Sequence, residues 1–399
     1  MFLELHLIQN FAPSNLNRDD TGAPKDCEFG GYRRARISSQ CLKRAVRTAF
    51  SDLKLIPEAQ LAQRTKRVTD ALTAKLVEQE KDETQARAAI ETLLEGVGLT
   101  VKEDKTQYLL FLGQREIDEI ARLCLEHWDT LVIPSPPGAE AAAAGGARVS
   151  AKDAKKQGNA AVPKELQNAL KGVLDGGKAA DLALFGRMIA DLPERNVFAA
   201  SQVAHAISTH TVSTEFDFYT AVDDLRPEDT AGADMLGTIE FNSACFYRYA
   251  NVDVGQLAKN LLGDHELARQ TVTAYLRATV AAIPTGKQNS MAAHNPPSFV
   301  FAVVRDHGLW SLANAFVKPI RATRDGDLIG NSVRALAGYW ADLSQMYGTE
   351  GITGSWAVAA DATASPDLAR LGAGAAVASV PELIERAEAA AFADGGAAA

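Results

Sequence analysis

The residues best suited to chemistry lie in one basic block, Phe29 to Ser51, which reads FGGYRRARISSQCLKRAVRTAFS. The block holds six Arg and Lys residues and no Asp or Glu, in a chain whose formal net charge is −9. A solvated helix face normally interleaves acidic residues with its basic ones. Positive charge that is concentrated in an otherwise acidic chain indicates instead a defined binding site for a polyanion.

Acidic residues just before this block suggest a second kind of chemistry. Asp19, Asp20 and Asp26 stand close to Arg18 and Lys25 in the sequence. Clustered carboxylates can hold Mg²⁺ for phosphoryl chemistry. The alternative, which we favour, is that these carboxylates neutralise or position the neighbouring basic side chains.

His205 and His210, in the segment HAISTH, are the best remaining candidates for metal binding or acid–base catalysis. Residues five apart in a strand point to opposite faces, so we expect two structural histidines. The chain has no GxxxxGK[ST] loop, no GxGxxG after a strand, no GxSxG and no HExxH. We therefore predict no catalytic residue, no metal site and no cofactor. Two further polar segments lie at Lys287 to Asn289, which could line a groove, and at Lys318, Arg321 and Arg324, which we expect at the surface.

Local sequence patterns predict the elements that position the basic block. Phe2 to Asn10 alternates Leu with Glu and His, which predicts a half-buried strand. Phe11 to Ile37 is predicted to be a loop, and its length indicates a functional segment. Ser38 or Ser39 can cap a helix that runs to about Leu55, with its basic residues off the apolar stripe.

The rest of the chain reads as a helical insertion followed by a return to strands. Helical spacing runs from Pro57 to about Leu131, and the Pro-, Ala- and Gly-rich stretch 134–161 is typical of a mobile loop. The predicted order of elements suggests an α+β, βαββαβ domain of the ferredoxin-like or RRM type. The aromatic RNA-binding motifs of RRMs are absent, so we expect no base stacking on the sheet face. The remaining predictions are a strand near Leu182 to Met188, extended arms at Val203 to Ser213 and Gly237 to Asn251, helices at about Asp264 to Ile283 and Asp325 to Met346, and a strand at Phe299 to Arg305.

Composition limits the class of protein. At 399 residues with 47% hydrophobic content, two or three structural units are expected. No apolar run is long enough to cross a bilayer, and Met1 to Asn10 lacks the basic start of a signal peptide. Cys27, Cys41, Cys124 and Cys245 show no CxxC spacing and are typical of reduced thiols in a cytoplasmic protein.

A longer pattern points to a family. The run NLNRDD…KD…FGGYRRARISSQCLKRAVR, from Asn15 to Arg47, resembles the N-terminal signature of the CasC-type backbone subunit of Cascade, the type I-E CRISPR surveillance complex. Eight blocks in the order of the family make this resemblance specific. The later blocks are FGRM, AHAISTH, FYTAVDDL, LGT, FYRYANV, GKQ and LANAF, which begin at Phe185, Ala204, Phe218, Leu236, Phe246, Gly286 and Leu312.

The resemblance implies a right-hand shape and an assembly. An RRM-like palm (1–56, 181–203 and 241–388) would carry helical fingers (57–180), a β-hairpin thumb (204–240) and a flexible tail (389–399). Copies would stack head-to-tail, six in the family, along a guide RNA (crRNA), and each thumb would turn one base outward. The guide would then be presented to target DNA for antiviral defence, and base pairing would read the sequence. Other Cascade subunits are the implied partners, with a helicase-nuclease recruited indirectly.

Carried over position by position, the resemblance also implies RNA-binding residues. Basic side chains and helix-start amides suit phosphates, and apolar or aromatic faces suit unstacked bases. Lys287 is expected to line the same groove. The phosphate contacts would be Arg18, Lys25, Ser38, Gln40, Lys43, Arg44 and Arg47, and the displaced base would meet Phe218, Tyr219, Val222 and Leu236 of the thumb and Met188 of the palm.

Two other functions stay open at this stage. Related backbone subunits of type III complexes cut target RNA with an aspartate in the corresponding loop, which makes Asp26 the candidate residue of a metal-dependent ribonuclease. Mg²⁺-dependent cleavage of RNA complementary to the guide would identify that activity. A free-standing RNA chaperone would stay monomeric and would bind RNA without forming filaments.

Overall fold

The structure, a computed structural model, describes residues 1–102, 105–131, 162–220, 236–324, 326–360 and 365–393. For Leu236, Ser365 and Pro366 the description is limited to the backbone. The mixed α and β content agrees with the α+β class predicted from the sequence. No described helix is long and apolar enough to cross a membrane.

The strands are numbered along the chain. The first seven are β1 Phe2–Ser14, β2 Asp26–Phe29, β3 Tyr32–Ile37, β4 Ala62–Thr65, β5 Val101–Lys102, β6 Lys105–Thr106 and β7 Leu110–Gly113. The others are β8 Ser201–Val203, β9 Ala206–Ser208, β10 Glu215–Thr220, β11 Leu236–Asp253, β12 Phe299–Arg305 and β13 Ile352–Ala359. The predicted strand Phe299 to Arg305 agrees with β12 at both ends.

The helices are numbered in the same way. The first seven are α1 Ser39–Asp52, α2 Val68–Val77, α3 Glu83–Gly96, α4 Gln114–Glu126, α5 Trp128–Leu131, α6 Lys164–Val173 and α7 Ala180–Phe185. The others are α8 Val254–Asn260, α9 His265–Ala281, α10 Gln288–Met291, α11 Leu328–Tyr347, α12 Ser365–Leu368 and α13 Val380–Ala391. The last of these covers the start of the segment predicted as a flexible tail, and residues 394–399 lie outside the described part.

The chain divides into two compact units. One, called here the sheet unit, is built from Met1–Leu55, Ser201–Gly255 and Arg269–Ala399. The other, the helical unit, is built from Ile56–Ala200 and Gln256–Ala268. The helical unit packs the apolar faces of α2, α3, α4 and α6 into one core around Leu72, Leu93 and Leu166.

The sheet unit is organised by one sheet with the strand order β13-β12-β1-β11-β9-β3-β2, and β8 and β10 also pair with β11. Strand β1 lies between β11 and β12 and is antiparallel to both, with Phe2 opposite Asp253 on one side and Arg305 on the other. Helices cover both faces at β11. Tyr247 belongs to the core that includes α11, and the next residue, Arg248, donates to the carbonyl of Thr279 in α9 at 2.7 Å.

The predicted half-buried strand at the N-terminus is therefore wrong in one respect, because both faces of β1 are buried. Glu4 and His6 are fully buried, although their types suggested a solvent-facing side. The buried carboxylate of Glu4 meets Arg305 at 3.0 Å, and His6 Nδ1 lies 2.9 Å from the hydroxyl of Tyr247. These polar partners replace part of the water that the two side chains lose, while the buried Nε2 of His6 has no hydrogen-bond partner among the described residues.

The segment predicted as one long loop, 11–37, is largely strand. Strand β1 continues to Ser14, and β2 and β3 form an antiparallel hairpin whose tip is Gly30 and Gly31. Both glycines have positive φ, 64° and 80°, as a tight two-residue hairpin turn requires. The sequence signal for this hairpin is the Gly-Gly pair between Phe29 and Tyr32, which is typical of a two-residue hairpin turn as well as of a loop.

The strand predicted near Leu182 to Met188 is instead a short helix, Ala180–Phe185, and it belongs to the helical unit. Gly186, with φ of 75°, ends it. Five consecutive buried residues from Ala180 to Leu184 made the segment resemble a buried strand. A short apolar run does not distinguish the two structures by its spacing.

Candidate nucleic-acid interface

Helix α1 presents one polar, cationic face and one buried face. Ser38 precedes it as N-cap, and its hydroxyl accepts a hydrogen bond from the amide of Cys41 at 3.3 Å. The first turn contains no acidic residue. Buried Leu42, Val46, Ala49 and Phe50 hold the opposite face against the core. The polar face has the spacing i, i+3, i+4, i+7 and consists of Gln40, Lys43, Arg44 and Arg47.

The loop before the hairpin is tied directly to the start of this helix. The side-chain oxygen of Asn17 accepts from the amide of Ser38 at 2.7 Å, and its carbonyl accepts from the amide of Lys25 at 2.8 Å. The amide of Arg36 in turn donates to the carbonyl of Lys25 at 2.9 Å. Lys25, Arg36 and the helix start are therefore held close together, as the predicted phosphate contacts require.

An open cavity of about 630 Å³ lies beside α1 in the sheet unit. Arg18 and Arg44 line it from the loop and from the helix, and both are exposed. Residues 284–286 close the far wall. Two of the predicted phosphate contacts thus face one concave surface. Its complete lining is Leu16, Asn17, Arg18, Asp19, Asp20, Thr21, Gly22, Cys41, Arg44, Ala45, Thr48, Pro284, Thr285 and Gly286.

The wall at 284–286 continues into the predicted groove residue Lys287. A Cβ placed on Gly286 would lie 2.4 Å from the carbonyl oxygen of Leu16, so only glycine permits this close approach of the two loops. Lys287 itself has the left-handed conformation, with φ of 53°, and is half-buried. Lys287 therefore follows the cavity wall directly in the chain, but it is not among the residues that line the cavity.

The six cations of the basic block have different roles. Arg34 is fully buried and donates to the carbonyl oxygens of Ser208 at 3.1 Å and Phe316 at 2.7 Å, so it is a structural residue. Arg33 pairs with Asp26. Lys43 and Arg44 form no ion pair with an acidic side chain in the part of the chain that the structure describes, and the same holds for Arg18 and Lys25 outside the block.

The uncompensated charge has visible effects on neighbouring groups. Burial, together with Arg36 and Lys25, lowers the pKa of His205. Burial raises the pKa of the Cys41 thiol, and Lys25 and Arg44 oppose that rise. Burial also lowers the pKa of Lys43, since no carboxylate offsets its desolvation. Basic side chains therefore act electrostatically on groups around α1, and the cavity beside it is lined by two carboxylates, Asp19 and Asp20, as well as by arginines.

Phe218 and Tyr219, which the resemblance assigns to a thumb, lie on a two-stranded ribbon. Strand β10 pairs antiparallel with the start of β11, from Glu215 opposite Phe241 to Thr220 opposite Leu236. Every residue of β10 is exposed, including Phe218 at 65% and Tyr219 at 42%. The ring of Tyr219 lies over Gly237, where a Cβ would be 2.3 Å from it.

The predicted site residues are divided between the two units. Arg18, Lys25, Ser38, Gln40, Lys43, Arg44, Arg47 and Lys287 belong to the sheet unit, as do the strands that carry Phe218, Tyr219 and Leu236. Met188 is 80% exposed and belongs to the helical unit. Val222 lies outside the described residues, and the side chain of Leu236 is not described.

The candidate metal and acid–base residues have other partners. Asp19 Oδ1 accepts from Thr21 and Ala23 within its own turn, and these hydrogen bonds lower the pKa of Asp19. His210 Nε2 accepts from the amide of Cys245 at 3.1 Å, while its Nδ1 donates to the carbonyl of Thr211. His205 Nδ1 lies 3.1 Å from Arg36. Among the described residues, no group of three or more His, Cys, Asp or Glu could hold a metal ion.

Sequence reasoning missed Arg36 as a residue of this surface. Its guanidinium Nε donates to the carbonyl of Asp26 at 3.1 Å, and its Nη1 reaches His205 across β9. Alternation along β3 places Arg34 and Arg36 on the same face, so the sequence contains no signal that separates them, and only the structure shows Arg34 buried and Arg36 half-buried. The cavity wall from Pro284 to Gly286 was likewise found only from the structure.

Comparisons with known proteins agree on one family. The family model described as CT1975-like protein matches residues 3–386. A chain of a solved structure described as "CRISPR RNA-guided surveillance complex, pre-nicking" is 32% identical with a TM-score of 0.80, covering 98% of this chain and 100% of that one. A chain of a second, "CRISPR RNA-guided surveillance complex", is 27% identical with a TM-score of 0.71 and the same coverage. No curated protein matches. The protein belongs to the CT1975-like protein family of Cas proteins.

Proposed function

We propose that this protein is a crRNA-binding backbone subunit of a type I-E CRISPR surveillance complex. The observation that carries the proposal is the cationic face of α1, free of acidic residues, beside the open cavity. Phosphates of a single-stranded RNA are the ligands that such a face and a capped helix start bind well. The likeness to chains of surveillance complexes supports the same class of partner.

The proposal includes an RRM-like palm. Strand β1 leads through α1 to β8 and β9, and β11 leads through α9 to β12. In the sheet the order β12-β1-β11-β9 corresponds to a ferredoxin-like arrangement, in which the first and third strands are central. The covered sheet faces support the prediction that RNA is bound beside α1 and the thumb, and that bases do not stack on the sheet.

In this function the protein positions RNA without cleaving it. Copies would polymerise head-to-tail, with a heterologous contact between neighbours. Phe218 and Tyr219, which are exposed on a narrow ribbon, would support displaced guide bases. The guide would then pair with target DNA, in company with the other subunits of the complex and in the cytoplasm.

The salt dependence of RNA binding tests whether the cationic face of α1 contacts phosphates. We expect Arg44→Ala to weaken binding of unrelated single-stranded RNAs equally, and to reduce the slope of log K against log salt by about 0.7, because one phosphate contact is lost. Arg386→Ala, which removes a cation paired with Glu382 at 2.7 Å, is the matched control and should leave the slope unchanged. A loss confined to one RNA sequence, with the slope preserved, would disprove the phosphate contact.

A metal-dependent ribonuclease is the second candidate, with Asp26 as its residue. The carboxylate of Asp26 is engaged with Arg33 on the hairpin, which favours a positioning role over metal binding. We expect Asp26→Ala to leave Mg²⁺-dependent cleavage of guide-complementary RNA at the background level of the unaltered protein. Cleavage by the unaltered protein that disappears in Asp26→Ala would establish the ribonuclease.

A further inference from the structure

A second cationic surface lies on the helical unit. With the recess beside it, it shares only Met188 with the predicted RNA-binding residues. It is formed where the end of β4 meets the β5–β6 hairpin. Thr106 ties the two together, since its amide and hydroxyl donate to the carbonyl of Lys66 at 2.9 Å and 3.2 Å. The five cations of this surface are exposed: Arg64, Lys66, Arg67, Lys102 and Lys105.

Within the described part of the chain, none of these five cations is paired with a carboxylate. Lys102 and Lys105 stand directly opposite each other in the β5–β6 ladder, an arrangement of like charges that destabilises a strand pair. Glu103 and Asp104, which stand between these two lysines in the sequence, lie outside the described residues, and counting them against the five cations leaves an excess of three positive charges.

An apolar recess adjoins the cations. Thr106 Oγ1 also lies 2.8 Å from the carbonyl oxygen of Tyr108, so its single proton is shared between this carbonyl and that of Lys66, and Tyr108 lies next to the Lys66 attachment. Tyr108, Leu109 and Met188 line one recess, and they are 47%, 51% and 80% exposed. Asp191 contributes the single carboxylate among the residues that line it.

We propose that this surface of the helical unit, called here the finger surface, binds single-stranded nucleic acid, with cations on phosphates and a base against Tyr108. A basic groove joined to an exposed aromatic ring is the arrangement that proteins use for single strands, because every base has a stacking face. The inference depends on the proposed function only for the class of ligand.

The single-stranded nucleic acid could be a part of the guide RNA or a strand of DNA, because both offer phosphates and stacking bases. Photo-cross-linking of the full chain separates them, with 4-thiouridine RNA and 4-thiothymidine DNA of equal length as probes and peptide mapping as readout. We expect adducts within 64–67 or 102–109, or at Met188. Adducts with the RNA probe identify a guide segment, and adducts with the DNA probe alone identify a DNA strand.

The map also separates this inference from the proposed function. Adducts confined to 18–47 overturn the finger surface and leave the proposed function standing. Adducts on the finger surface with none in 18–47 support the inference and contradict the proposed groove. Absence of adducts on the finger surface with both probes overturns the inference.

Variants give an independent measure. We expect Lys66→Ala/Lys105→Ala to reduce the slope of log K against log salt for the cross-linking probe by about 1.4, because two phosphate contacts are lost. Lys75→Ala/Arg122→Ala removes the same charge from cations that are paired with Asp118, Glu119 and Glu126, and should not change the slope. Tyr108→Ala should weaken binding roughly 5- to 150-fold, and Tyr108→Phe, which keeps the ring, should restore it. Equal effects of the two double variants would overturn the proposal.

Discussion

At the scale of single residues, the same side-chain type has opposite roles according to its burial. Arg34 and Arg305 are buried and bind carbonyls or a carboxylate, whereas Arg18 and Arg44 are exposed at the cavity. The sequence showed where positive charge is concentrated, but it could not divide structural arginines from those available to a ligand. That division depends on which strands and loops fold over each guanidinium.

His6 gives a prediction at this scale. Burial, with Arg305 as a smaller cause, lowers the pKa of His6 to about 3, against 6.5 in an unfolded chain. Below about pH 6.5 the unfolded chain therefore binds a proton at His6 that the folded protein does not bind. As the pH decreases from 6.5, His6 lowers the free energy of unfolding by about 1.4 kcal/mol per pH unit. Denaturation by urea between pH 6.5 and 4 should show a shallower fall for His6→Phe than for the unaltered protein. Parallel curves would contradict the assignment.

At the scale of elements, the β2–β3 hairpin determines where the cations of β3 and α1 lie. Gly30 and Gly31 both have positive φ, but only Gly30 is crowded, since its Cβ would lie 2.5 Å from the carbonyl oxygen of Val317. We expect Gly31→Ala to destabilise the protein by about 1–2 kcal/mol, from backbone strain alone. Gly30→Ala should cost more, because the Val317 segment must also move. Equal losses in thermal unfolding would show that the contact with Val317 is unimportant.

The thumb ribbon gives a second prediction for an element. Replacing Phe218 and Tyr219 with Ala should leave the thermal midpoint nearly unchanged, because both side chains are exposed. Phe50→Ala, at a fully buried position, is the control and should cost about 3–5 kcal/mol. In an assembled complex, the thumb variant should abolish the periodic exposure of guide bases to chemical probes. If the variant is unfolded, or if the wild-type complex protects all guide bases uniformly, the rings of Phe218 and Tyr219 have only a structural role.

Several elements could be predicted from the sequence because their spacing is unambiguous. The apolar run of β12 and the Ser-capped start of α1 are local signals, and the structure has both. The hairpin tip at Gly30, the helix at Ala180–Phe185 and the burial of Glu4 were missed. The hairpin had a local signal in its Gly-Gly pair, and the short apolar run of the helix fits a strand equally well. The burial of Glu4 depends on distant chain, because its partner Arg305 lies about 300 residues away in the sequence.

At the scale of the whole molecule, charge is segregated. A chain of net charge −9 keeps one face of α1 and the finger surface positive. That segregation suits copies that attract a polyanion at defined places and stack in a heterologous manner along it. The site residues predicted by resemblance are divided between the two compact units.

The most direct test of this account is the stoichiometry of protein on RNA, measured by native mass spectrometry over RNAs whose lengths increase in equal steps. A backbone subunit that binds phosphates through α1 should add copies in proportion to RNA length, independently of RNA sequence. A Lys43→Ala/Arg44→Ala variant should lose this ladder while it remains folded. A single protein copy on every RNA, or a dimer whose size does not depend on RNA length, would contradict the account.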